Sequence, residues 1–207
     1  NGDGEMALLY AETLQGDPEE ILWQQSQTNR DRQPVLRVVN DLIEAGIPSS
    51  IPLIILAEIE LEKHNNQEAY ECYQRAGEYY KDCDSKTKWR MQTGLGLSAL
   101  RSDRTDVALV AIQEALVFKP THLKLLQLLT EAYQTVDLPE NALETAFLVL
   151  ENGGNRADII AWYGKKMREL HRMTDAIEAM KKAMVLDPTN LDYLLQMVDL
   201  YIENKEW

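Results

Sequence analysis

The feature that most constrains this chain is a pattern that returns every 34 residues. Residues 157–190 read ADIIAWYGKKMRELHRMTDAIEAMKKAMVLDPTN. They hold two amphipathic helical stripes back to back: Ile160, Tyr163, Gly164 and Met167, then Ala176, Met180 and Ala183, with a stop at Asp187-Pro188. The same grammar recurs one and two periods upstream. Self-similarity at a fixed period of this size marks an array in which each unit buries its apolar face only against its neighbours.

Taken in order, residues 1–15 carry a short stripe of Met6, Leu8, Leu9 and Leu14, broken at Gly16-Asp17-Pro18. Residues 19–49 read as a degenerate helix pair, with Leu22 and Ser26 in the first helix and Pro34 able to start the second. Val35, Val38, Val39, Leu42 and Ile43 follow at helical spacing, and Gly46 and Pro48 end them. The expected division is 1–49 as a degenerate N-terminal region, 50–88 as a repeat whose second helix runs on through Tyr79 and Tyr80, full repeats at 89–122, 123–156 and 157–190, and the first helix of a further, incomplete repeat at 191–207. Thr105 or Asp106, and Thr174, are the expected N-caps of second helices, and Pro139 the first residue of another.

Within the units a small residue recurs at the eighth place (Ala57, Gly96, Gly164), alanine at the twentieth (Ala69, Ala108, Ala142, Ala176) and a small residue at the twenty-seventh (Ala76, Ala115, Ala183). Pro120 and Pro188 fall at the thirty-second place, and Tyr133 and Tyr201 at the eleventh. This pattern resembles the tetratricopeptide repeat family, over residues 50–206 strongly and 16–49 weakly. The departures are the long unit 50–88 without its proline, Thr130 at a small place and Gly154 at a proline place. The resemblance implies an all-α, right-handed α-solenoid of stacked antiparallel helix pairs.

It also implies a concave groove lined by the first helix of each unit. The matching places hold Arg90 and Arg101, then Lys124, Gln127 and Glu131, then Lys165 and Arg168, with Trp162 beside them. A basic, aromatic-bearing groove suits an acidic or extended peptide. The alternative is a set of ordinary solvated charges around a core Trp162. The Lys and Asn pattern with which one subtype grips chaperone C-termini is absent: those places hold Ile54, Glu58, Thr93 and Leu97.

Bulk numbers exclude some classes. Net charge is −13, which repels phosphate backbones and argues against nucleic acid as a partner. No segment reaches the roughly 20 apolar residues of a membrane span, and a soluble, cytoplasmic chain is the expectation. Cys72 and Cys83, on one helix, would lie about 16 Å apart along its axis, too far for a disulfide. Chemistry is poorly supported. His64, His122 and His171 are scattered, and Glu60, His64 and Glu68 share a face only if no turn falls at Asn65-Asn66. Gly94-Leu95-Gly96 lacks the further glycine of a dinucleotide loop. The expectation is therefore a non-catalytic interaction scaffold with no cofactor or metal, binding a protein or peptide. The alternative is a self-assembly or docking module within a larger secretion, export or regulatory protein, acting through 191–207, where apolar residues cover nearly every side of the helix.

Overall fold

The structure, a computed structural model, describes residues 33–46 and 49–204. The expected helix at 1–15 and the first half of the pair at 19–49 lie outside the described residues. Ten α-helices run through the rest, and they fall into two compact units that divide between Phe118 and Lys119.

The first unit holds α1 (Gln33–Glu44), α2 (Ile51–Glu62), α3 (Asn66–Ala76), α4 (Ser85–Arg101) and α5 (Thr105–Phe118). Helix α2 is apolar nearly all round because it serves two cores. Ile51, Ile55 and Ile59 form a stripe against Val35 and Val39 of α1. Leu53, Ile54 and Ala57 face Ala69, Cys72, Tyr73 and Ala76 of α3 and Met91 of α4. A helix enclosed on both sides needs no polar face there.

The second unit holds α6 (Leu123–Thr135), α7 (Pro139–Glu151), α8 (Ala157–Glu169), α9 (Met173–Leu186) and α10 (Leu191–Asn204). Helices α6 and α7 pair, α8 and α9 pair, and α10 packs on α9 through buried Tyr193, Met197 and Leu200. The places the sequence singles out are all buried: Leu126, Thr130 and Tyr133 on α6, Ala142, Ala146 and Val149 on α7, Ile160, Gly164 and Met167 on α8, and Ala176, Met180 and Ala183 on α9.

The small residues act by letting two backbones approach. A Cβ on Gly96 would come within 2.6 Å of Ile112 Cγ1 on α5. One on Gly164 would stand 3.2 Å from the Ala176 carbonyl oxygen and 3.3 Å from Ala179 Cβ on α9. Thr130, the exception at this place, fits because its hydroxyl is used: it donates to the Leu126 carbonyl at 2.9 Å and meets Thr145 Oγ1 of α7 at 3.1 Å.

The hairpin turns share one geometry, which the sequence reading missed. His64, Asp103, Asp137 and His171, each at the fifteenth place of its unit, have positive φ, between 54° and 64°. The amide after each reaches back to the eleventh place: Asn65 to Glu60, Arg104 to Ala99, Leu138 to Tyr133 and Arg172 to Met167, at 2.8–3.0 Å. The turn residue's own amide bonds three residues back. This is the Schellman closure of a helix, here with Asp or His in the left-handed position usually given to Gly. His64 and His171 are therefore turn residues, and α2 stops at Glu62, so Glu60, His64 and Glu68 do not share one continuous helix face. Helix α7 ends the same way with Gly153 at φ 73° and Gly154 donating to the Val149 carbonyl at 2.8 Å, which accounts for glycine at that proline place.

Three local expectations are corrected. Helix α3 does not run on as an α-helix through Tyr79 and Tyr80: it ends at Ala76, and Gly77–Asp82 continues as a 3₁₀ helix. Gly77 sits at the junction, and the tighter coil with Cys83 and Asp84 takes up the extra residues before Asp84 caps α4 by accepting from the Thr87 amide at 2.7 Å. Cys72 and Cys83 are thus on different elements, both as thiols, with Cys83 Sγ against the Tyr79 carbonyl and Ser50 Oγ. The N-cap of α9 is Arg172 rather than Thr174, without a side-chain cap bond. In α5 Thr105 is already the first helical residue, and the Arg104 carbonyl accepts the first turn's bond from Ala108.

Gly94 has a packing role: a Cβ there would fall inside the buried Tyr73 ring. Gly94→Ala is expected to cost about 2 kcal/mol or more through overpacking. Gly77→Ala, with open space and φ −59°, should be neutral or stabilising. Urea midpoints of the two variants check both.

Candidate functional site

Each first helix has one face fixed by the pairing just described, and the opposite face carries the predicted groove residues. In the first unit this face belongs to α2 and α4. Arg90 is at the start of α4, and its guanidinium meets the Glu58 carboxylate of α2 through three hydrogen bonds of 2.9–3.2 Å. The Arg90 side chain is only 9% exposed. Its charge is therefore committed to the fold, a departure from its expected place in a ligand-facing basic row. Arg101, at the last turn of α4, is exposed.

In the second unit the face belongs to α6 and α8. Lys124, Gln127 and Glu131 recur at three- and four-residue steps on α6, which places them along one side of the helix. Lys124 is exposed, Gln127 Nε2 donates to Asn155 Oδ1 at 3.3 Å, and Glu131 lies 3.8 Å from Arg156. On α8, Lys165 is exposed and Trp162 is half-buried, neither sealed in the core nor free of it. Arg168 is engaged by α10: it donates to both carboxylate oxygens of Glu203, the Nε bond at 2.8 Å, and lies 3.9 Å from Asp199. That bond holds the Glu203 carboxyl below its ordinary range. Lys165, Arg168, Glu169, His171, Met173 and Glu203 line an open depression of about 600 Å³.

The structure thus separates five predicted cations into two kinds. Arg90 and Arg168 hold acids of their own chain, and Lys124, Lys165 and Arg101 are exposed. The sequence could not show this, because the partners Glu58, Asp199 and Glu203 are about one repeat away and only stacking brings them near. Among the described residues, no group of three or more His, Cys, Asp or Glu is placed to hold a metal ion, and no helix is long and apolar enough to cross a membrane.

His122 was set aside by the sequence reading, and it caps the helix that carries Lys124. Its Nδ1 accepts from the Leu125 amide at 3.4 Å. Burial, then the charges of Lys119 and Lys124, push its pKa below the ordinary value.

The arrangement is similar to that of solved tetratricopeptide repeat structures. YrrB, described as a TPR protein with an unusual peptide-binding site, superposes with a TM-score of 0.72 at 16% identity, over 92% of this chain and 97% of that one. A crystal structure of MamA gives 0.61 at 15% identity, over 75% and 82% of the two chains. A structure of MamA AMB-1 gives 0.67 at 14%, over 83% and 91%. No family model and no curated protein matches the sequence. At these identities the likeness is one of fold, and the chain has the fold of a tetratricopeptide repeat protein.

Two predictions follow from the placement of these side chains. Arg90→Ala leaves Glu58 largely enclosed without its main partner and should cost about 2–3 kcal/mol in denaturant unfolding. The double change with Glu58→Gln should recover part of that loss. For His122 the folded state favours the neutral ring, so its contribution to stability is present above the usual histidine value of about 6.5 and lost as pH falls through the lower folded value. His122→Asn, which can cap without titrating, should flatten the stability difference between pH 7.5 and 5.5 relative to the parent chain.

Proposed function

We propose that the chain is a non-catalytic protein–protein interaction scaffold that holds a partner peptide on the first-helix face of its repeats, divided as at 50–88, 89–122, 123–156 and 157–190. The observation that carries this reading is the shared face of α6 and α8. Lys124 and Lys165 are exposed there, and Trp162 offers a half-buried ring between apolar packing and solvent. Trp162 and Lys165 are one helical turn apart, and an aromatic anchor beside an exposed cation is the kind of surface on which a short peptide gains most of its affinity. The peptide-binding site named for YrrB supports the reading by analogy of fold alone.

The chemistry of the peptide is narrower than a basic groove would suggest. With Arg90 and Arg168 spent on Glu58 and Glu203, the face suits an extended segment with one or two carboxylates and an apolar residue for Trp162. A densely acidic tail would meet Glu131, Asp158 and Glu203 as well.

A peptide-display library selected on the whole chain tests this. Selected peptides should share an acidic residue near an apolar one, and Lys124→Glu with Lys165→Glu should weaken their binding at least tenfold. Peptides that bind the double variant unchanged would remove the site from this face.

A further inference from the structure

The turn that ends α7 is built on Asn152-Gly153, a pair with chemistry of its own. Among the described residues Asn152 is the only asparagine followed by glycine. Glycine has no Cβ to hinder its amide nitrogen, and it gives the chain freedom to bring that nitrogen to the asparagine side chain. The deprotonated Gly153 nitrogen attacks Cγ of Asn152. A C–N bond forms, the bond from Cγ to Nδ2 breaks, and ammonia leaves carrying the amide proton. Water then opens the cyclic imide at either carbonyl. One opening leaves aspartate, and the other leaves isoaspartate, whose main chain is one carbon longer. Water is the only co-reactant.

The surroundings decide when this happens. Asn152 and Gly153 are exposed, and a Cβ on Gly153 would meet nothing within 4 Å. The folded turn nevertheless holds the reacting groups. Asn152 Nδ2 donates to the Leu148 carbonyl at 2.8 Å, and the Gly153 amide donates to the Leu150 carbonyl at 3.3 Å. Asn152 has ψ 16°, and ring closure requires a ψ far from that value. Turning it displaces Gly153 from φ 73° and breaks the 2.8 Å bond from the Gly154 amide to the Val149 carbonyl. An exposed helix end of this kind opens locally without unfolding its unit. We propose that Asn152 is a deamidation site gated by opening of the α7 turn, and that the isoaspartate product cannot close the turn again. The added main-chain carbon falls inside the loop that the Gly154–Val149 bond closes. The new carboxylate also stands at a helix C-terminus, by the Leu148 carbonyl oxygen to which Nδ2 donates. The loss reaches the start of α8, where Asn155 accepts from Gln127 of α6, and Arg156 pairs with Asp158 and lies 3.8 Å from Glu131. None of this depends on what the α6–α8 face binds.

The test incubates the whole chain beside a synthetic peptide of residues 149–157 in warm, mildly alkaline buffer. Peptide mapping by mass spectrometry, with methylation by an isoaspartate methyltransferase, reads the conversion. The chain should convert at Asn152 at least tenfold more slowly than the peptide, and faster there than at any other described asparagine. Gly154→Ala places a Cβ 2.3 Å from Val149 Cγ1 and leaves the reacting pair unchanged. It should speed conversion at least threefold by loosening the closure. Hydrogen exchange of the Gly154 amide should show at least tenfold protection in the parent chain, lost in the isoaspartate fraction. Asn152→Asp, which adds the charge but no main-chain atom, should keep most of that protection. The parent chain's conversion rate and exchange decide the matter if Gly154→Ala loses helicity. No conversion in the chain once the peptide has converted fully, conversion as fast as in the peptide, or earlier conversion at another described asparagine would overturn the proposal. So would an unchanged rate in a folded Gly154→Ala chain, or protection retained in the isoaspartate fraction.

Discussion

Close approach of paired helices at one small place per repeat is the constraint from which the rest of this structure follows. At Gly96 a Cβ would come within 2.6 Å of the Ile112 side chain, and at Gly164 one would press on Ala176 and Ala179 at 3.2–3.3 Å. That contact fixes which side of each first helix is covered, and so which side faces away from its partner helix. Thr130 and Thr145 meet the same constraint differently, with two buried hydroxyls in contact across the pair and each also within bonding distance of a carbonyl of its own helix. Core places elsewhere tolerate more variety in size, since Tyr73, Met91 and Ile54 share one cluster.

Much of the fold was legible because the repeat states its packing several times over. Alanine at 69, 108, 142 and 176 marks the buried side of each second helix independently of its surroundings, and all four are fully buried. Caps were less legible. Thr174 and Thr105 look like caps by residue type, but here the turn is set by a left-handed residue at the preceding helix end, and the second helix begins two residues earlier than a Thr174 cap and one earlier than a Thr105 cap would place it. The 3₁₀ segment after Ala76 is not legible because Tyr79 and Tyr80 prolong the apolar pattern past Gly77.

The candidate site was legible only in outline. Residue type and spacing put Lys124, Lys165 and Trp162 on the face opposite the pairing contact. They could not reveal that Arg90 and Arg168 are held by Glu58 and Glu203, because those pairings are made through stacking and have no local signature. The same blindness applies to α10. Its apolar period is visible in sequence, but that Asp199 and Glu203 answer Arg168 of α8 depends on stacking.

The shared turns at His64, Asp103, Asp137 and His171 also bear on how the chain reaches this state. Each of these pairs of helices is joined by only three residues and closed by bonds spanning five positions, so most of its contacts form between residues near in sequence. Chains with such short-range contact maps have little loop-closure entropy to overcome and fold quickly, and in a stacked array any pair can nucleate the next. The repeated left-handed corner thereby gives the molecule several equivalent starting points for folding rather than a single obligatory nucleus.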